Sequence, residues 1–137
     1  MSFHQLKSLD ISDCTALVEF DCTYGELTNL NVKGCTALKY LGCMRNNLTK
    51  LDVSECPALL QLNCSENQLT SLDVSMCPAL EFLECSSNQL TSLDVSKNTA
   101  LLDLRCNNNQ LKILDVSQKN VFLGLFFKSI NKFGSVK

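Results

Sequence analysis

Residues 69–89 read LTSLDVSMCPALEFLECSSNQ, and this 21-residue unit recurs along nearly the whole chain of 137 residues. The tripeptide Leu-Asp-Val or a close relative marks each copy, and no copy is out of step. Its first residue stands at Leu9, Leu30, Leu51, Leu72, Leu93 and Leu114. A fixed period of this length is the signature of a stacked array in which each unit packs on its neighbours. We therefore expect a single domain over residues 1–137 with about six units, and a degenerate repeat or cap over 118–137.

Alternation of apolar and polar residues inside one unit predicts short strands. In Gln61–Ser65 the apolar Leu62 and Cys64 alternate with polar residues, as in a half-buried strand. In Leu72–Val74 an aspartate separates two apolar residues, which indicates a short strand or a turn on the opposite wall. A unit of 21 residues leaves little room for a full helix besides. We expect a parallel sheet on one wall and almost no α-helix.

Apolar residues that recur in the same place of each unit predict the core. Their columns run from Leu6 to Leu111, Leu9 to Leu114, Ile11 to Val116, Leu17 to Leu101 and Phe20 to Leu125. A column of asparagines is expected to hydrogen-bond backbone groups that adjacent turns leave free, which is a scaffold role. It comprises Asn46, Asn67, Asn88 and Asn109, and Gly25 and Ile130 interrupt it at the two ends.

A column of aspartates invites a metal-binding interpretation, but a simpler one fits the sequence. The column comprises Asp10, Asp52, Asp73, Asp94 and Asp115. The glycine-rich nonapeptide of calcium-binding β-solenoids is absent, and an aspartate two residues before a serine usually caps a local turn. We predict no metal and no cofactor.

The nine cysteines form two columns that read as buried free thiols. Neither column contains a C-x-x-C pair, and the only histidine is His4, so the spacing of a zinc site is lacking. Neighbouring strands place equivalent residues about 4.8 Å apart and parallel, which is slightly too far at Cβ for a relaxed disulfide. The columns are Cys22, Cys43, Cys64, Cys85 and Cys106, and Cys14, Cys35, Cys56 and Cys77. Without a convergent acid, base and nucleophile, we predict no enzymatic activity.

Composition and charge exclude several classes of function. Charged residues make up 19% of the chain and the net charge is −2, so there is no basic surplus for nucleic acid. The longest apolar run, Val121 to Phe127, is too short to cross a bilayer, and we expect no membrane insertion. The first residues have neither a basic nor an apolar signal region, so we expect no signal peptide in this stretch.

The outward positions of the main strand vary, in contrast to the regular columns around them. The first column reads Glu19, Tyr40, Gln61, Phe82, Asp103 and Gly124, and the second Asp21, Gly42, Asn63, Glu84, Arg105 and Phe126. The third begins with Thr23, Met44 and Ser65. Recognition surfaces favour aromatic residues, methionine and arginine on such a face. We predict a ligand-binding site on the concave strand face at Tyr40, Met44, Phe82, Glu84, Asp103 and Arg105, and we expect Glu84 and Arg105 to be able to pair.

Residues 59–69 fit the pattern L-x-x-L-x-L/C-x-x-N-x-L, and the same frame recurs in the other units. The unit at residues 69–89 resembles the 21-residue, cysteine-containing repeats of internalin J-like bacterial surface proteins. Similar repeats occur in large secreted proteins of gut Bacteroidetes. The resemblance covers about residues 4 to 127 and implies a right-handed leucine-rich-repeat solenoid with an inward cysteine ladder. It also implies display on a cell surface for adhesion. Because the chain begins within a repeat at about His4, unlike the usual build of that family, we expect a fragment or a truncated gene product.

Three functions are compatible with such a solenoid. The first is a binding module that recognises a protein or glycan ligand through the concave face. The second is a structural spacer without a ligand of its own, and the third is the recognition domain of an intracellular effector. Fold alone does not choose between them.

Overall fold

The computed structural model describes residues 5–116 and, beyond them, the backbone of two short strands. The described part of the chain contains short strands joined by turns, and no helix. The strands are β1 (Ser8–Asp10), β2 (Glu19–Asp21), β3 (Asn29–Asn31), β4 (Tyr40–Gly42), β5 (Gln61–Asn63), β6 (Phe82–Glu84), β7 (Asp103–Arg105), β8 (Ile113–Leu114), β9 (Phe122–Leu123) and β10 (Ser135–Val136). The expected fold, a helix-poor parallel solenoid, is confirmed.

One wall of the solenoid is a six-stranded parallel sheet in the order β2-β4-β5-β6-β7-β9. From β2 to β7, each residue pairs with the one 21 positions later, as Leu41 does with Leu62. Because successive side chains of a strand point to opposite faces, this register puts equivalent positions of all units on the same face of the sheet. The central residue of each strand points inward, and those on either side form the surface that we call the strand face.

The last pairing in this sheet departs from the 21-residue period. Leu104 of β7 pairs with Leu123 of β9, so the spacing is 19 residues, and the predicted continuation of the core column at Leu125 is wrong. The preceding connection lacks the Cys/Asn-Pro/Thr-Ala turn of the earlier units, and the chain reaches the sheet two residues sooner. Gly124 and Phe126, which we expected to continue the outward columns, lie outside the described residues, as does most of the predicted cap over 118–137.

The opposite wall is mostly built of turns. Strands form near its ends, where β1 pairs with β3 and β8 with β10, whereas the equivalent residues 51–53, 72–74 and 93–95 are not in strands. The aspartate column caps these turns. The backbone N–H groups of Ser12, Ser54, Ser75 and Ser96 donate to the carboxylate two residues earlier at 2.8–2.9 Å. The capping interpretation of these aspartates is therefore confirmed.

The core consists of the predicted apolar columns, packed between the two walls. Leu41, Leu62 and Leu83 are completely buried, and so are Leu38, Leu59 and Leu80, which lie two residues before the strands begin. The first unit is less covered, and Leu9, Ile11, Leu17 and Phe20 are only partly buried. Stacking of one unit on the next is thus what removes these side chains from water, which is the stabilising term of a solenoid.

The asparagine column connects neighbouring units from inside the structure. Asn67 accepts a hydrogen bond from the Leu48 N–H at 3.0 Å, and its Nδ2 donates to the carbonyl oxygen of Cys43 in the preceding unit at 2.9 Å. Asn46, Asn88 and Asn109 repeat this arrangement. Their predicted scaffold role is confirmed, because each side chain satisfies backbone groups that the turns leave unpaired.

Candidate binding surface

The strand face brings the predicted site residues to one side of the molecule. Tyr40, Phe82 and Asp103 occupy the position before the inward residue of β4, β6 and β7, and Glu84 and Arg105 the position after it. Tyr40 and Phe82 both pair with Gln61, one from each side. Two strand spacings separate them, which is roughly 10 Å.

Tyr40 is half-buried and is held in place by a carboxylate on the neighbouring strand. Its hydroxyl donates to Asp21 Oδ2 at 3.0 Å, above Gly42. A Cβ on Gly42 would lie 2.7 Å from the same carboxylate oxygen and 2.8 Å from the Tyr40 hydroxyl, so only glycine leaves room for this contact. Burial, followed by the hydrogen bond and the charge of Asp21, raises the pKa of Tyr40. Tyr40 is therefore a fixed neutral hydroxyl.

Asp21 also receives a hydrogen bond from its own turn. The Thr23 N–H donates to Asp21 Oδ1 at 2.8 Å. Burial acts to raise the pKa of Asp21, but the hydrogen bonds from Thr23 and Tyr40 outweigh it and lower that pKa. This end of the strand face thus carries an ionised carboxylate at neutral pH.

Phe82, Asp103 and Arg105 form a second cluster, on β6 and β7. The Arg105 guanidinium donates from Nε and Nη2 to the two Asp103 oxygens at 3.3 and 2.9 Å. Its Cζ also lies 5.3 Å from the centroid of the Phe82 ring, within the range of a cation–π contact. Hydrogen bonding to Asp103 and its charge raise the pKa of Arg105.

Glu84 does not pair with Arg105 as expected. Its Oε1 accepts from the Ser86 N–H at 3.0 Å, and the ion pair of Arg105 is with Asp103. The reason is local geometry. Asp103 lies two residues from Arg105 on the same side of the same strand, while Glu84 caps the turn after its own strand.

Met44 is half-buried at the loop edge of the face. The Asn63 Nδ2 lies 3.8 Å from its sulfur, at the distance of a weak hydrogen bond to a thioether. Tyr40, Phe82 and Met44 are therefore each partly covered by a polar neighbour. The face is a mixed surface of aromatic and charged groups rather than an open apolar patch.

A cluster at the loop edge was not predicted from the sequence. Arg45 donates from Nε to Glu66 at 2.6 Å, and its Cζ lies 5.0 Å from the centroid of the Tyr24 ring, which is 52% exposed. These residues share one loop position, which has positive φ in five successive units, at Tyr24, Arg45, Glu66, Ser87 and Asn108. The 21-residue spacing of this column could have revealed the shared position in the sequence, but its residues differ in charge and polarity and therefore do not stand out.

The thiols of the inner cysteine column lie in the core. Cys22, Cys43, Cys64 and Cys85 are buried, and every cysteine among the described residues is free. Burial raises the pKa of Cys22 to about 12 and that of Cys64 well above its ordinary value. Buried, protonated thiols are poor nucleophiles. In the outer column Cys14 is exposed, and Cys35, Cys56 and Cys77 are buried with their thiols 3.1–3.6 Å from backbone oxygens of the preceding unit.

Residues 5–116 contain no group of three or more His, Cys, Asp or Glu side chains that could hold a metal ion. No helix in the described part is long and apolar enough to cross a membrane. Beside Tyr40 there is an open depression of about 340 Å³, lined by Glu19, Lys39, Tyr40, Leu60 and Gln61.

Solved structures similar to this chain are leucine-rich-repeat proteins. The functional domain of InlJ from Listeria monocytogenes, described as including a cysteine ladder, is 40% identical over 82% of this chain, with a TM-score of 0.59. A leucine-rich-repeat protein from Leptospira interrogans is 27% identical over 77% of the chain, with a TM-score of 0.70. The internalin InlF of Listeria monocytogenes, at 20% identity over 90% of the chain and a TM-score of 0.57, shares the fold.

The chain spans only part of each of these structures: 30% of the InlJ domain, 30% of the Leptospira protein and 48% of InlF. No protein-family model matches the sequence, and no curated protein matches it. The buried inner column of free cysteines in this chain corresponds to the cysteine ladder for which the InlJ domain is described. The chain is therefore a leucine-rich-repeat solenoid similar to the internalins, and to the cysteine-ladder domain of InlJ among them.

Proposed function

We propose that the chain is part of a non-catalytic binding module, displayed on or secreted from a bacterial cell, that recognises a protein through its strand face. The observation that carries this proposal is a contrast between the two sides of the main strand. The inward positions hold one residue type in unit after unit, whereas the first outward column changes from Glu19 to Tyr40, Gln61, Phe82 and Asp103. A scaffold needs the first property, and recognition needs the second.

The composition of the face supports the same proposal. Aromatic residues, methionine and arginine are enriched where proteins bind one another, and Tyr40, Met44, Phe82 and Arg105 lie on this one surface. Tyr40 and Phe82 are also held by Asp21 and Arg105, so little side-chain entropy is lost when a partner contacts them. Glu84 and Asp103 supply acceptors for directional contacts beside these rings.

The experiment compares three proteins on arrays of immobilised extracellular proteins and glycans. They are the unchanged chain, the double variant Tyr40→Ala with Phe82→Ala, and a control, Met76→Ala with Ile113→Ala. The control residues are 58% and 59% exposed and lie away from the strand face. Loss of two aromatic anchors is expected to weaken the binding of protein ligands at least about tenfold, because anchors of this type each contribute about 1–2 kcal/mol or more to the free energy of binding.

The control variant should retain its ligands within about twofold, and circular dichroism should show that both variants are folded. Undiminished binding by the folded double variant would remove the strand face as the site. Ligands that are exclusively glycans would change the partner class, and arrays without any ligand would favour the spacer function.

A further inference from the structure

Negative charge is concentrated in the solenoid and on its strand face. All fourteen acidic residues of the chain lie within residues 5–116, together with eight basic ones, so this region has a formal charge of −6. In the two outward columns of β2 and β4–β7 there are four carboxylates and a single cation, Arg105. The six lysines of residues 5–116 all lie outside these columns.

Only one of the four carboxylates of the face, Asp103, is neutralised by a cation among residues 5–116. Arg105 pairs with Asp103, and the other ion pairs of residues 5–116, Lys7–Glu26, Lys33–Glu55 and Arg45–Glu66, lie off the two columns. Within the same residues, Glu19, Asp21 and Glu84 form no ion pair. Three carboxylates on one surface repel one another, and a cationic partner relieves this repulsion when it binds.

The Arg105 cluster shows how this surface holds a cation. The guanidinium lies between a bidentate carboxylate, Asp103, and the face of an aromatic ring, Phe82. Carboxylate and ring together bind a guanidinium or an ammonium group more tightly than either does alone.

At the other end of the face, carboxylates again lie beside an aromatic ring, but the outward columns supply no cation there. Tyr40 pairs directly with Glu19 across the two strands, and its hydroxyl contacts the Asp21 carboxylate. Gly42 supplies no side chain here, and the depression of about 340 Å³ lies between Glu19, Tyr40 and Gln61. Lys39 and Leu60 also line this depression.

We infer that the strand face recognises a positively charged, extended segment of a partner protein that places a lysine or arginine between Glu19, Asp21 and Tyr40. A second basic side chain of the segment pairs with Glu84. Three strand spacings separate Asp21 from Glu84, roughly 14 Å, which an extended segment covers in about four residues. This inference rests on the proposed function and adds the chemistry of the partner to it.

The test uses the full chain and two fluorescein-labelled probes, octalysine and octaglutamate, followed by fluorescence anisotropy in about 50 mM salt. The face variant is Glu19→Gln with Glu84→Gln. The matched control, Glu26→Gln with Glu55→Gln, makes the same change in net charge off the face. Because exposed ion pairs contribute modestly, the face variant is expected to bind octalysine about fivefold more weakly and the control less than twofold. Octaglutamate should not bind.

Two results would overturn the inference: no octalysine binding to the unchanged chain, or an equal loss in both variants, which would assign binding to net charge alone. The array experiment separates this failure from failure of the proposed function. If Tyr40→Ala with Phe82→Ala loses its protein ligands while octalysine binding fails, the face is correct and the partner chemistry is wrong. If that variant keeps its ligands, the face itself is wrong.

Discussion

Removal of one asparagine from the inner column should destabilise the solenoid far more than removal of a neighbouring amide side chain. Asn67 is buried and has four hydrogen-bond partners: its Oδ1 accepts from the Leu48 N–H at 3.0 Å, and its two Nδ2 hydrogens are shared among the carbonyl oxygens of Cys43, Cys64 and Ser65 at 2.9, 3.1 and 3.1 Å. In Asn67→Ala all four contacts are lost, but their costs differ.

In Asn67→Ala the three carbonyl oxygens still accept from another donor, whereas the Leu48 N–H loses its acceptor. Cys43 still accepts from Asn46, Cys64 from Asn88, and Ser65 from the Arg45 N–H. The Leu48 N–H has no other acceptor in the described part of the chain. A buried orphaned N–H costs about 1–3 kcal/mol, and each weakened acceptor about 0.5 kcal/mol. We expect the free energy of unfolding to fall by about 3 kcal/mol.

Urea denaturation followed by circular dichroism measures this difference, with Gln68→Ala as the control. Gln68 is exposed, and its side chain makes one long hydrogen bond, to Asn47 at 3.3 Å, so its loss should change the free energy of unfolding by less than about 0.5 kcal/mol. A decrease below about 1 kcal/mol for Asn67→Ala, or equal decreases in the two variants, would refute the assignment of the column as the connection between units.

Four further predictions concern the thiols and two irregular positions of the columns. In the native protein at pH 8, Cys14 should react first with a thiol reagent because it is exposed, and Cys43, Cys64 and Cys85 only after denaturation; simultaneous reaction of nearly all cysteines would contradict the buried ladder. Stability should fall above pH 9 under reducing conditions: burial raises the pKa of Cys22 to about 12 and that of Cys106 to about 11, so the unfolded chain loses thiol protons that the folded chain keeps. Each such thiol then lowers the free energy of unfolding by up to about 1.4 kcal/mol per pH unit. An unchanged urea midpoint between pH 8 and pH 10 would be inconsistent with this. Gly25→Asn, although it completes the asparagine column, should lower the free energy of unfolding by about 1–2 kcal/mol, because a Cβ there lies 2.6 Å from Asn46 Oδ1, the acceptor of the Leu27 N–H; a more stable variant in urea would argue against this geometry. Asn98→Ala should lower the free energy of unfolding by about 2 kcal/mol, and Asn98→Cys by less. The reason is that the Asn98 Nδ2 donates to the Val74 oxygen at 2.7 Å, just as the Cys77 thiol donates to the Val53 oxygen at 3.5 Å. Equal urea midpoints for the two variants would show that a thiol does not replace the amide.

The solenoid and the role of its columns can be predicted from the order of residues along the chain. A 21-residue period with alternation inside each unit is compatible only with in-register stacking, because a slip of one residue would turn Leu41, Leu62 and Leu83 toward water. The same logic placed the asparagines and the inner cysteines inside. These features depend on residue type and spacing alone, and both can be read along the chain.

The partners of the charged side chains, and the lengths of the turns between units, become apparent only in the folded protein. Arg105 pairs with Asp103 instead of Glu84, Arg45 bridges Tyr24 and Glu66, and the last strand pairs at a spacing of 19 residues. On the opposite wall, strands form among the described residues near its two ends and not at residues 51–53, 72–74 and 93–95. Side chains about 20 residues apart become neighbours only after the units stack, and rotamers, turn length and burial then select one partner among several of similar chemistry.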